Sequence, residues 1–280
     1  HSMRYGTSFG GTINFVTTPA RFSDRPQGYG RLSGIYEGNG GLFRSEGLVG
    51  IRTADVDVGL FSSWASGGDY MDGDGQRVQA DFRRGSVGTN MHFRLKPGQL
   101  LRVTAKRNFA REVDFPALPM DLRSDDTWLL NAQHEASIDR ALLKSWSTTL
   151  YGTFVDHFMD NRLKQLEPRM VNAETSAQTT AWGGRTEGTW KSAAGTLYAG
   201  LDLRVERADG ERMREFLMGP NAGNTVVDNV WQQGAIARSG LFAEYQWQSE
   251  SVVWTFSGRL EVNRSAIGET QPEFSDVYDD

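Results

Sequence analysis

No cysteine occurs anywhere in the chain, which removes disulfide frameworks, thiolate metal sites and cysteine nucleophiles together. That absence fits a protein that crosses an oxidising compartment, yet many cytosolic proteins also lack Cys, so the compartment stays open. Long apolar runs are missing too: nothing approaches the roughly 18 consecutive apolar residues that a spanning helix requires. The opening His1-Ser2-Met3 carries none of the charged, apolar and cleavage regions of a signal peptide. It is expected to be either the remnant of an artificial start or the beginning of an internal piece of something larger. Charge of one sign is scarce as well. With 30 basic and 35 acidic residues and a net charge of −5, there is no electrostatic reason to expect nucleic acid as a partner. Four His and scattered Ser offer no grouping of nucleophile, base and orienter, so hydrolysis has no support and an enzyme is not expected.

What the chain does have is turn formers and aromatics: 32 Gly, 8 Trp, 8 Tyr and 15 Phe in 280 residues, a composition that leans towards all-β. From Thr196 to Glu206 the residues alternate strictly, with Leu197, Ala199, Leu201, Leu203 and Val205 opposite Gly200, Asp202, Arg204 and Glu206. A period of two is the mark of a strand with unlike faces. The pattern recurs in Val252 to Asn263, where Trp254, Phe256 and Leu260 oppose Arg259 and Glu261, in Leu241 to Gln248, and in Leu101 to Lys106. Weaker copies run through Val56 to Trp64, Met91 to Leu95, Trp128 to Ala136 and Trp146 to Phe154.

Connections between these segments alternate in length. Short ones are predicted at Thr53-Ala54, Lys96-Pro97-Gly98, Asp139-Arg140, Ser192 to Gly195 and Ser249 to Ser251; long polar ones at Gly67 to Gly85, Ala110 to Asp126, Asp156 to Ser176, Ala208 to Ala235, and from Ser265 onward. In an up-and-down antiparallel barrel this puts every short turn at one rim and every long loop at the other, the layout of an outer-membrane barrel. Alternating segments of about 9 to 13 residues suit tilted strands that cross a bilayer. Trp64, Tyr151, Trp182, Trp190, Tyr245 and Trp247 fall near their ends and are expected to form interfacial girdles. The competing reading is a soluble or surface β-rich binding or adhesin module whose polar face is simply hydrated. An autotransporter-like pore is a third, weaker option.

The opening stretch departs from the barrel pattern. Its glycines lack the strand, helix and Lys-Ser/Thr context of a phosphate loop, so they are expected to permit unusual backbone or close strand approach in a compact segment. Arg4, Tyr5, Gly6, then Gly10, Gly11, then Ile13, Asn14 and Thr17 resemble the end of the plug domain of TonB-dependent outer-membrane receptors. Phe115 to Asp121, His157 to Asn161 and Gly240 to Glu244 are similar to segments of that family's barrel, so the resemblance covers nearly the whole chain. It implies a plug remnant at 1–24 followed by the first half of a transmembrane β-barrel at 25–280. It further implies a full barrel of about 22 strands, of which about 11 are here, an outer-membrane location in a Gram-negative bacterium, contact with outer-membrane lipid, and uptake driven by the TonB complex through the plug region missing here. The ligand implied is a metal ion or metal chelate, since similar members include receptors associated with copper and with ferric siderophores. No cofactor is expected.

Candidate ligand contacts sit in the long loops. Met120 and Asp121 occupy one; Asp156, His157, Met159 and Asp160 begin the next, with Met170 further along. Thioether and imidazole donors suit a soft cation, and carboxylates suit the holding of a ferric chelate. His157 and Met159 are the candidate metal ligands; the alternative is that the Met residues fill gaps and His157 bonds within its loop. Asp69, Asp72 and Asp74 resemble a calcium loop only loosely and read as a hydrated loop tip. Arg102, Lys106, Asn131, Gln133, Glu135, Asp202, Arg204, Glu206, Arg259 and Glu261 are expected to line the interior as a salt-bridged wall.

Overall fold

The structure is a computed structural model that describes residues 2–5, 19–138, 140–249 and 251–268. Gly6, Gly10, Gly11 and Asn14 of the opening motif lie outside the described residues, as does Asp139 of one predicted turn. A four-residue helix α1 (Ser2–Tyr5) precedes strands β1 (Gln27–Glu37), β2 (Leu42–Arg52), β3 (Val56–Gly67), β4 (Tyr70–Met71), β5 (Arg77–Val78), β6 (Phe82–Lys96) and β7 (Gln99–Val113). Then come β8 (Asp121–Ser137), β9 (Leu143–Asp160), β10 (Val171–Ser192), β11 (Gly195–Phe216), β12 (Thr225–Gln248) and β13 (Val253–Ala266). Apart from the small β4–β5 hairpin, the strands form one 11-stranded antiparallel sheet in which each pairs with its neighbours in sequence. This is the expected all-β up-and-down wall. Among the described residues it is a partial barrel, because β1 and β13 each pair on one side only.

Alternation sorts the side chains onto two faces, and the pairing register carries each face across the sheet. Leu201, Leu241 and Leu260 are direct cross-strand neighbours and are 53%, 58% and 74% exposed. Leu60 and Val49 continue the same apolar outer face on β3 and β2. On the opposite, inner face one row runs Asp57, His92, Arg102, Gln133, Thr149, Arg185, Asp202, Gly240 and Glu261 over nine strands. The distribution is inside out: the largest side chains almost wholly withdrawn from solvent are Phe242, Glu244 and Asp121, while Leu32, Trp254 and Phe256 stand exposed. Leu197, Leu201, Leu203, Trp254, Phe256 and Leu260 occupy the opposite parity to Asp202, Arg204, Arg259 and Glu261, as the period predicts.

Two sequence expectations are corrected. The strands of the 11-stranded sheet beyond β3 are longer than 9 to 13 residues, reaching 22 in β10 and β11 and 24 in β12. Much of the long loops predicted after β7, β9 and β11 is therefore strand, and these connections shrink to 114–120, 161–170 and 217–224, while 68–81 stays a long connection that holds only the β4–β5 hairpin. Polar residues hide this extension, because beyond the apolar stretch both faces of a strand are hydrophilic and no period-two signal survives. Loop length still differs between the rims, since the opposite turns span only 53–55, 97–98, 138–142, 193–194 and 249–252. The second correction concerns Tyr151, which shares a cross-strand row with Asn131, Gly183 and Arg204 on the inner face and does not belong to an outer girdle. Trp146 and Trp190, by contrast, meet edge to face at 6.1 Å at the short-turn rim, and Trp64, Trp128 and Trp182 flank the apolar band at its other edge.

Candidate functional site

The inner face holds a charge belt built on β10 to β13. Gly240 lies between Asp202 and Glu261, and the Arg259 side chain crosses it; a Cβ there would fall 2.0 Å from Arg259 Nη2. Passing over that gap, Arg259 donates from Nη1 and Nη2 to Asp202 at 2.8 and 2.7 Å and from Nε to Glu261 at 2.7 Å. Arg185 lies 3.9 Å above the Phe242 ring and donates to Glu187 at 2.7 Å. Into this belt comes Arg4 from α1. Its Nε donates to Glu187 at 2.8 Å, its Nη2 pairs with the other carboxylate oxygen, its guanidinium stacks 3.9 Å over Tyr198, and its carbonyl accepts from Arg185 at 2.7 Å. The start of the chain is thus fastened to the inner wall 181 to 183 residues away in sequence. Sequence reasoning had singled out Arg4, Asp202, Arg259 and Glu261, and had quoted Phe242 and Glu244 only within a family-like segment, but missed Arg185 and Glu187. Inward parity of charge along 171–192 was the signal available, blurred there by Thr and Gly on the outer face.

At the long-loop rim, the loops 114–120 and 161–170 lie side by side. Asp121 is 0% exposed, accepts from the Phe115 amide at 2.8 Å and pairs with Lys164 at 2.6 Å, while Lys164 also donates to the Phe115 carbonyl at 2.5 Å. Arg123 pairs with both Asp160 and Glu112 at 2.9 Å. Arg169 donates to the carbonyls of Asn161, Arg162 and Lys164 and so staples the second loop across itself. Asp121 and Asp160 are therefore committed to cations of the chain.

Asp114, buried where loop 114–120 meets loop 68–81 through its amide bond to the Asp81 carbonyl, has a carboxyl pushed up to about 6. Burial is the main cause and outweighs an opposing bond from Gln79, with the Asp81 carboxyl and the Asp121 charge adding smaller upward pushes. Asp69, in contrast, is held below its ordinary value, chiefly by the Ala80 amide. Asp72 accepts from the amides of Asp74 and Gln76. The Asp69 to Asp74 run is thus the tip of the β4–β5 hairpin.

Of the candidate ligands, His157 pairs in register with Asp125, and its Nδ1 sits 2.9 Å from Asp125 Oδ2. Such a carboxylate orients the ring and leaves Nε2 as the nitrogen free to bind outward. Met159 faces Leu122 across β8–β9. Met120 precedes Asp121, which pairs with Asp160, so it stands at the same end of β9. Met170 does not join them: its carbonyl accepts from the Leu217 amide, which places it against the β11 side. Among the described residues no three His, Asp or Glu converge as a metal site. Beside Asp125, a wall cavity of about 320 Å³ opens among Arg44, Glu46, Ser86, Lys106 and Asn108. Sequence reasoning had named only Lys106 of these.

No protein-family model and no curated protein matches the chain. Among solved structures it is similar to the copper transporter OprC, with a TM-score of 0.71 and 18% identity over 89% of this chain. That likeness shows a shared wall architecture. The chain spans 39% of that structure's length.

Proposed function

We propose that this chain is part of the membrane-spanning wall of an outer-membrane receptor of the TonB-dependent class, taking up a metal ion or metal chelate. In this reading residues 1–24 are the end of the plug domain and 25–280 the first part of the barrel, and plug residues outside the chain meet the TonB complex. The observation that carries it is the inside-out sheet: apolar side chains exposed on one face and charged ones withdrawn on the other, with Arg4 docked against the charged side. Exposed apolar area on this scale costs a soluble protein its solubility, whereas hydrocarbon covers it at no penalty. A transporter of copper with the same wall architecture supports metal as the cargo, and His157, with Nε2 left free by Asp125, and Met159 supply donors for a soft cation. Met120 and Met170 are retained as rim contacts for a larger chelate, with Asp121 and Asp160 holding the loops that carry them through Lys164 and Arg123.

The chain is expected in detergent-extracted membranes. Abundant material in the detergent-free soluble fraction favours a β-rich binding module instead. In the membrane-inserted protein, His157→Ala and Met159→Ala are expected to weaken copper binding about tenfold each. Unchanged affinity in both returns these residues to packing.

A further inference from the structure

Towards the long-loop rim, the outer parity of the wall changes from apolar to charged. On β7 the outward residues run Leu101, Val103 and Ala105, then Arg107, Phe109 and Arg111; on β8 Leu130 and Trp128 give way to Asp126. An aromatic shelf marks the transition, with Trp64 and Phe109 at 6.2 Å and Arg107 5.8 Å over Trp128. Phe109 reaches across Gly85, where a Cβ would meet its ring at 2.6 Å.

Just above the shelf, Arg107 and Arg111 both bind Asp126, at 2.6 and 2.5 Å. One carboxylate thus serves two guanidiniums. Arg111 stands directly opposite Arg83 of β6, which is exposed and forms no ion pair among the described residues. Like charges facing one another across strands repel, so the pair calls for an anion. Asp156 opposes Asp126 from β9, on the side of β8 away from Arg83, and leaves that repulsion unrelieved.

We propose that Arg83, Arg107 and Arg111 dock the phosphomonoester headgroup of a membrane glycolipid, a surface role separate from the interior transport path. Three guanidiniums against Asp126, with Asp156 beyond it, leave a net positive charge centred on Arg83 and Arg111, and a phosphomonoester, nearly doubly negative near neutral pH, meets it more strongly than a singly charged phosphodiester. The arginine fork suits phosphate oxygens in pairs. Position selects a lipid source: the cluster sits at the edge of the apolar band on an aromatic shelf, the depth of headgroups. The inference rests on the membrane-wall reading proposed above.

The test titrates the purified chain in detergent micelles with lipid A, with its dephosphorylated form and with phosphatidylglycerol, following tryptophan fluorescence, and repeats this for Arg83→Gln and for Arg83→Gln/Arg111→Gln. Arg83 makes no ion pair among the described residues, so the single variant is expected to fold normally. Lipid A is expected to bind about tenfold more tightly than either comparison lipid, a preference reduced in the single variant and lost in the double. Equal binding of lipid A by wild type and both variants, or equal binding of the dephosphorylated form, overturns the site. Full competition by millimolar inorganic phosphate reduces it to a general anion patch and overturns the lipid assignment. Recovery of the chain in the detergent-free soluble fraction is a different failure, that of the membrane reading itself.

Discussion

At the scale of single residues, the inner wall depends on small side chains that make room for large charged ones. Gly240 has this role for Arg259, whose side chain is only 4% exposed. Gly240→Ala places a methyl on the guanidinium's path to Asp202, and the flexible arginine must then give up part of its two-pronged bond. A loss of about 1–3 kcal/mol is expected, read as a lower urea midpoint for unfolding in micelles; an unshifted midpoint means that Arg259 reaches Asp202 by another route. Asp114 gives a second test at this scale. Its folded value of about 6 lies above the ordinary 3.8, so its ionisation opposes the folded loop junction. Its contribution is fully present below about pH 4 and is lost as pH rises through about 6. Amide protection of residues 114–120 should therefore fall between those values in wild type and stay flat in Asp114→Asn, as hydrogen exchange will show.

At the scale of elements, the two rim loops are latched by charges buried between them. Lys164→Met leaves Asp121 buried with the Phe115 amide and an Arg123 nitrogen 4.0 Å away. Removing one partner of a buried pair costs about 3–5 kcal/mol, here as local opening. Exchange should rise in both 114–120 and 161–170 while β10 and β11 stay protected, and a rise confined to one loop would argue against a shared latch. On the outer face Leu201, flanked by Leu241 and then Leu260, marks the middle of the apolar band. Leu201→Arg is expected to lower insertion into lipid vesicles by about 2–4 kcal/mol, while Asp202→Asn, one residue on, should leave insertion unchanged and weaken only its contacts with Arg259 and Arg185.

At the scale of the molecule, the 11-stranded sheet ends, among the described residues, in two strands paired on one side. Unpaired backbone along β1 and β13 is an association hazard in water and is not tolerated in hydrocarbon. Because the chain has no cysteine, single cysteines report its orientation directly. Labels at Leu60, Leu201, Leu241 and Leu260 are expected to be quenched by membrane-restricted agents, and labels at Asp57, Asp202 and Glu261 by aqueous ones. A quenching pattern without period two along β11 excludes a membrane-spanning wall.

The alternation of Leu197 to Val205 against Asp202 and Arg204 is local, so the sequence alone determined the strand type, the two unlike faces and the order of short and long connections. It also marked Arg4, through the resemblance of Arg4-Tyr5-Gly6 to a plug-domain end, and His157, as an imidazole donor close to the thioether of Met159 in sequence. Tertiary structure decided the rest. Strand ends beyond the apolar band have two polar faces and no period to read, so only hydrogen-bonded register extended β10 to β12. Pairing of Asp121 with Lys164, of His157 with Asp125 and of Arg4 with Glu187 joins residues far apart in the chain. Whether a carboxylate is free for a ligand or already committed depends on which cation the fold brings within about 3 Å of it, and no spacing along the sequence encodes that distance.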